Sequence, residues 1–418
     1  MTRILYLCHG HPALVPGGTE TVAHDLFRAV RERRDCEAMF IGCVSPLHRE
    51  ARPESRLQAI GRSADELLLW VGAFDRFSIA QAETRGFAEA MGELLTSFRP
   101  DIVHFHHLSR LGLEAVLLTR RVAQSAKIVL TLHDYHAICA NDGLMTSAGA
   151  GRLCRGADPD TCHACLPEIA PQRFAARTMH VQNVLRQIDQ FIAPSRFLRD
   201  RYLAWGLPAA KIELIANGLP VVPVAPAARR SRRTFGFFGN IAPHKGVLVL
   251  LDAVRRLAEQ DPDARLHLHG GINFQPEPFR RAFDEALAAV QPVVRFHGAY
   301  DRSDLPQLMA KVDWVVVPSV WWENAPVVIA EAFQHGRPVI CANVGGMAEM
   351  VRDGGSGLHF QVGDAADLAR VMHRAVDQRG LWGRLVVGIP EPVTVAETTE
   401  RHLALYDTLL RHEEALSA

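Results

Sequence analysis

Lysine is nearly missing from this chain: there are four in 418 residues, so almost all of the 46 basic side chains are arginine. An excess of charge is missing too, since 46 acidic side chains balance them. That balance argues against the broad positive field that a nucleic-acid coat or a polybasic membrane anchor needs, so nucleic acid is not an expected partner. No run of ~18 uncharged apolar residues occurs, which excludes a predicted transmembrane helix. The N-terminal apolar run is short and meets His9, His11 and Pro12, too soon for a secretory signal core. A cytoplasmic protein with reduced thiols is expected, and its eight cysteines are not read as a disulfide framework. What is present is ordinary globular composition, 48% apolar. At roughly 150 residues per domain, two or three domains fit the length.

Short β-rich runs alternate with helical segments. Strands are predicted at 4–8, 39–43, 102–105, 128–132, 191–193 and 212–215, with helices at 19–33, 83–97 and 110–123 among them. Strands that lack polar alternation and are separated by helices imply a parallel sheet covered on both faces. The pattern breaks at 219–228, where three prolines fall in ten residues and four arginines follow by 233. It restarts with strands at 235–238, 265–269, 293–297, 314–317, 338–341 and 357–360. A helix over 394–416 closes the chain. The prediction is a tandem pair of α/β domains: 1–220, a linker at 221–233, and 234–394, with 395–418 packing back on the first. Ligands of open parallel sheets sit beyond the carboxyl ends of the strands, so residues just after strands carry the chemistry.

Four such places stand out. Pro16-Gly17-Gly18-Thr19 follows the first strand and opens a helix, where bare backbone and unpaired N–H groups suit an anion. A flexible turn is the plain alternative. Gly345-Gly346 repeats the arrangement in the second half. Gly239-Asn240 through Lys245-Gly246 places a lysine at a helix start, where it can neutralise phosphate as a point charge or simply be solvated. Finally, Glu323 and Glu331 stand eight apart around Pro326, Glu323 in a loop and Glu331 within an apolar helix. A carboxylate there needs a partner, either a ribose diol or an internal salt bridge.

On these residues the sequence resembles the family 4 retaining glycosyltransferases of GT-B fold, over nearly its whole length. Asp101-Ile102-Val103-His104-Phe105-His106-His107, Leu132-His133-Asp134, Ala193-Pro194-Ser195 and Asn217-Gly218 support the resemblance. Lys245-Gly246, Glu323 through Glu331, and Gly345-Gly346 through Glu349 carry its specificity. The resemblance implies an α/β GT-B protein, two Rossmann-like domains facing across a cleft, with the C-terminal helix returning to the first. It implies transfer of a sugar from a nucleotide diphosphate sugar, the co-substrate, to a hydroxyl of a glycan, lipid-linked or small-molecule acceptor. Lys245 would meet the diphosphate, Glu331 the ribose, and Glu323 the sugar hydroxyls. The amides at Gly345 and Gly346 would meet sugar or diphosphate. Gly17 and Gly18 would close over the diphosphate, and His133 would stand beside the sugar. No catalytic metal is implied, and same-face attack is preferred to a covalent intermediate. One departure matters: the family arginine that normally follows the Gly239 position is Asn240 here. A nucleotide-sugar epimerase of the same fold and an inactive nucleotide- or glycan-binding protein are the alternatives.

Cys139, Cys154, Cys162 and Cys165 crowd into one loop, but only the last pair has the two-residue spacing common in zinc sites. One structural zinc on these four thiols is expected, stapling a loop with little core of its own. Disulfides or free thiols are the other readings. The loop also resembles those of a bacterial subgroup of the family. His104, His106, His107, His133 and His136 cluster as metal ligands would, but their spacing fits no metal motif and they are read as strand-end residues lining a cleft or fixed by hydrogen bonds. Trp321 and Trp322 suit base stacking or packing equally. The arginines of 229–233 are read as a solvated charge run, with an anionic acceptor as the alternative. The segment 63–77 is read as a core helix, with a peripheral membrane contact as the alternative.

Overall fold

The computed structural model describes residues 1–50, 55–61, 63–148, 151–224 and 232–417. Most of the proline- and arginine-rich linker, with Arg229 and Arg230, lies outside the described residues. The chain divides into two compact units, Met1–Pro220 with Val393–Ala418, and Val221–Pro392.

Unit 1 opens with β1 (Thr2–Cys8), α1 (Gly18–Arg31) and β2 (Cys36–Val44). Then come β3 (Leu57–Ala59), β4 (Glu66–Trp70), the small pair β5 (Phe74–Asp75) and β6 (Ala80–Gln81), and α2 (Thr84–Phe98). β7 (Ile102–Phe105), α3 (Leu113–Val122) and β8 (Lys127–Thr131) follow. After a long loop come α4 (Pro159–Cys165), α5 (Pro171–Leu185), β9 (Gln190–Ala193), α6 (Arg196–Trp205) and β10 (Ile212–Leu214). The main sheet runs β10-β9-β8-β7-β1-β2-β4-β3. Every pair in it is parallel except β3 with β4. Ile4 to Cys8 are wholly buried, as an uninterrupted apolar strand between two covered faces requires. On α1, Val22, Ala23, Leu26, Phe27 and Val30 recur at helical spacing and turn inward. The strand order reverses around β1, which has β2 on one side and β7 on the other. The loops leaving β1 and β7 therefore part at the switch point where a ligand crevice forms.

Unit 2 holds β11 (Thr234–Phe238), α7 (Val247–Gln260), β12 (Arg265–His269), α8 (Glu277–Ala288), β13 (Val294–Phe296) and α9 (Leu305–Met309). It continues with β14 (Trp314–Val317), α10 (Val327–Gln334), β15 (Val339–Ala342), α11 (Gly345–Met350), β16 (Gly357–Phe360), α12 (Ala365–Asp377) and α13 (Leu381–Val387). Its six parallel strands run β13-β12-β11-β14-β15-β16, with the switch between β11 and β14. The last helix, α14 (Val395–Ser417), belongs to unit 1. Tyr406 is buried there among Ile4, Tyr6, Phe27 and Ile102.

Two expectations need correction. The segment 63–77 is not a helix: Glu66–Trp70 is a strand inside the sheet, with Leu68 and Leu69 buried. A short apolar run has no period that separates a buried strand from a buried helix. Arg232 and Arg233 are not a solvated run. Arg232 pairs with buried Asp313 at 3.1 Å and lies over the Trp382 ring, and Arg233 pairs with Asp261 at 2.9 Å.

Candidate functional site

In unit 2 the loops at the switch point bring Lys245 and Glu323 together. Gly246 makes this possible. Its φ is +69°, and a Cβ there would collide with the Pro318 carbonyl, so only glycine lets the start of α7 lie against the end of β14. Lys245 Nζ then reaches Glu323 Oε1 at 2.6 Å, and Ser319 donates to the same oxygen at 2.7 Å. Glu323 is 5% exposed. Burial alone would raise its carboxyl, but the Lys245 ammonium together with the hydrogen bonds from Lys245 and Ser319 holds it below the usual range. Burial and the same ammonium push His244 down to about 4. Trp321 packs edge-on to His244, with Lys245 Nζ 5.6 Å from its ring centre.

The glycine pair serves this loop. A Cβ on Gly345, whose φ is +60°, would meet the Glu323 carbonyl oxygen at 2.6 Å, and one on Gly346 would collide with the Asn324 carbonyl. The Gly346 N–H donates to the Glu323 carbonyl at 2.7 Å. The pair is thus explained by backbone packing, and the Gly346 amide is already committed within the protein. Glu331, on α10, is mostly buried with Arg302 Nε at 3.7 Å, which matches the internal ion pair weighed from sequence. Tyr300 is close enough for that carboxylate to add to the upward shift that burial gives its hydroxyl.

In unit 1 the corresponding strand ends carry histidines. His107 Nε2 donates to Asp134 at 2.7 Å, and its Nδ1 accepts from the Ser109 N–H. Burial alone would raise the Asp134 carboxyl, but His107 holds it well below its usual range. His106 Nδ1 and His133 Nε2 lie 3.1 Å apart. His133 is pushed down to about 3, by burial first and then by His107 and His9. His104 bonds Tyr406 and Thr131. The cluster is fixed by hydrogen bonds to protein. A pair that sequence reasoning missed is His9 with Glu20, at 3.0 Å. Glu20 is 3% exposed, and Cβ atoms at Gly10 or Gly17 would strike its carboxylate. Gly17 is bare, then, to admit Glu20. The only sequence signal was a carboxylate at 20 in register with the buried Ala23 and Phe27 of α1.

Two groups of three potential ligands lie close together among the described residues: His11, His24 and Glu66, and His267, His269 and His297. In the first, His11 Nδ1 accepts from the Ala13 N–H, so its Nε2 carries the proton and donates to Glu66 rather than binding a metal. In the second, the rings stack with interplanar angles of 7° to 17°, so their lone pairs do not converge on one point. The four loop cysteines form no disulfide and are not among those two groups, and after burial the neighbouring thiols of the loop add to the upward shift of Cys139, Cys154 and Cys162. The base of that loop is held by buried Arg177 on α5. Its guanidinium donates to the carbonyls of Phe77, His136 and Ala137 at 2.5–2.9 Å.

Comparison with known proteins completes the description. The family profile described as Glycosyltransferase Family 4 matches residues 16–222, and that described as Glycosyl transferases group 1 matches 232–378. The chain belongs to glycosyltransferase family 4. The family 4 chain is 35% identical to D-inositol 3-phosphate glycosyltransferase of Nocardioides sp. over 167 residues, 37% of this chain and 36% of that protein. It is 28% identical to mannosylfructose-phosphate synthase of Agrobacterium fabrum over 229 residues, 51% of this chain and 50% of that one. It thus spans about a third to a half of these curated relatives. Among solved structures it is similar to Anabaena HepE, crystallised with UDP and glucose, at TM-score 0.68 and 16% identity, covering 98% of this chain and all of that one. The sucrose-phosphate synthase of Thermosynechococcus elongatus matches at TM-score 0.72 and 19% identity, covering 99% and 100%. These likenesses show the GT-B fold of two Rossmann-like domains. Among the described residues, no helix is long and apolar enough to cross a membrane.

Proposed function

We propose that this chain transfers a sugar from a nucleotide diphosphate sugar to an acceptor hydroxyl, with retention at the transferred carbon. The observation that carries the reading is the Lys245–Glu323 pair, a buried carboxylate and a partly exposed ammonium at the switch point of a doubly wound sheet. Breaking a sugar–phosphate bond builds negative charge on the departing diphosphate, and a fixed cation there stabilises the transition state more than the ground state. Lys245 takes that role. Glu323, held by Lys245 and Ser319, accepts hydrogen bonds from sugar hydroxyls. Glu331 exchanges Arg302 for the ribose diol, and the Gly345 amide supplements Lys245 where the family arginine is Asn240. In unit 1, Gly17 and Gly18 are the backbone groups read toward the diphosphate, and His133 the side chain read toward a substrate hydroxyl. The acceptor attacks the face that the diphosphate leaves, which passes its proton to the departing oxygen.

The similarity to HepE, a protein solved with UDP-glucose, makes UDP-sugars the first donors to test. The curated relatives' names make phosphorylated small molecules the first acceptors. The test is a thermal-shift screen of UDP-, GDP- and dTDP-sugars, followed by donor turnover with and without acceptor and assignment of product configuration by NMR. A stabilising donor and an acceptor-dependent product of retained configuration are expected. Epimerisation without acceptor, or binding with no turnover on any donor, overturns the reading.

A further inference from the structure

Two buried histidines of unit 1, His106 and His136, each keep a ring nitrogen with no hydrogen-bond partner, whereas His11 and His104 are engaged on both sides. His104 bonds Tyr406 at 2.6 Å through Nδ1 and Thr131 at 2.7 Å through Nε2. His107 is engaged on both sides as described. His106 differs. Its ring is 1% exposed, its Nδ1 faces His133, and its Nε2 is buried with no hydrogen-bond partner. A polar nitrogen left so is costly, and proteins commonly satisfy it with an internal water.

A cavity of about 10 Å³ lies beside this ring, lined by His106, Thr131, Asn217, Thr398 and His402 among apolar side chains. That is the lower bound for one water, and the lining offers enough polar groups to hold it. Two of those groups have already given their protons away. The Thr398 hydroxyl donates to the Ala216 carbonyl at 3.0 Å, and His402 Nδ1–H donates to the Thr398 carbonyl at 2.7 Å. Both therefore meet a cavity guest with lone pairs.

We propose that one water fills this cavity, gives its two protons to Thr398 and His402, and accepts a hydrogen bond from His106 Nε2–H. His106 Nδ1 is then unprotonated and accepts from His133 Nε2–H. His133 then carries a lone pair, not a proton, on Nδ1, so whatever partners that nitrogen, from protein or substrate, must donate to it. His106 is a positioning residue: it fixes the tautomer of His133 from behind. Burial keeps both rings neutral at pH 7, so a single proton order runs from His133 to α14. The consequence for substrate rests on the proposed role of His133; the proton order does not.

The test is imidazole ¹⁵N NMR on the full-length protein, with an atomic-resolution crystal structure. The expected result is a protonated Nε2 and a bare Nδ1 on His133, and one ordered water within bonding distance of His106 Nε2. A protonated His133 Nδ1, or an empty cavity, overturns the proposal. Neither reading needs turnover, so loss of the proposed transferase function would leave them to be judged separately. In an active enzyme, His106→Leu is expected to lower kcat roughly 10- to 100-fold, the range for losing a partner that orients a functional histidine, with little change in donor KM. His106→Asn, whose side-chain oxygen stands where Nδ1 stood, is expected to recover most of that. An unchanged kcat in the leucine variant overturns the positioning role of His106, while the proton order stands or falls on the NMR and crystallographic result.

Discussion

The two units solve one architectural problem with different chemistry. Each is a parallel sheet whose strand order reverses at a switch point, and each places ionisable side chains just past the strands there. Unit 2 uses an ion pair, Lys245 with Glu323, in which charge is kept and held. Unit 1 uses histidines, and burial strips several of them of charge: His104, His106, His133, His136 and His402 are all shifted down. Neutral rings pass hydrogen bonds along, whereas a paired ammonium meets an anion. On the proposed function, that difference assigns hydroxyl orientation to unit 1 and the leaving phosphate to unit 2.

This contrast breaks first where a substitution in unit 1 alters more than stability. Tyr406→Ala empties a wholly buried site and strips His104 of its partner, and should cost ~3–5 kcal/mol in chemical denaturation. If it instead spares stability and abolishes donor binding, the division of labour is wrong. Lys245→Ala should lower kcat/KM by about 10²–10³, as loss of a transition-state charge partner does, with kcat falling more than KM rises. Unaltered kinetics would mean that the diphosphate goes elsewhere. The acid response sharpens the comparison. The histidines have folded pKa values below the unfolded value of about 6.5, so the unfolded chain takes up protons first as pH falls. Their contribution is whole above that pH and is lost on the way down to about 4, where His136 and His402 titrate in the fold. Each ring adds up to ~1.4 kcal/mol per pH unit. Among the described residues of unit 2, His244 and His269 are the histidines shifted down to about 4, fewer than in unit 1, so hydrogen exchange at pH 5 should show unit 1 opening first. Least of all, Glu331→Gln should raise donor KM by ~10-fold, about the worth of one hydrogen bond to a charged group. Unfolding in its place would mark Glu331 as a structural partner of Arg302.

Much of this was legible in the sequence, for identifiable reasons. Uninterrupted apolar runs such as that in β1 announce a parallel sheet, and Gly246, Glu323 and Glu331 stood out by residue type and spacing. The Lys245–Glu323 bond was not legible, because it joins positions 78 apart that only the sheet topology brings together. Strand β4 was misread because four apolar residues carry no period. His9 with Glu20 escaped because an acidic residue in a first helical turn already has an ordinary explanation, the helix dipole. The support under the cysteine loop was not legible either, because composition does not show a buried arginine reaching in from a neighbouring helix.

The placement of α14 has a consequence for synthesis. Unit 1 is discontinuous, and the core of residues 1–220 lacks Tyr406 until α14, made after unit 2, has left the ribosome. Unit 2 is contiguous and has all of its strands and helices well before that. The half that emerges first is therefore finished last, and a chain shortened from its C-terminus forfeits the older half of its work while leaving the younger half whole.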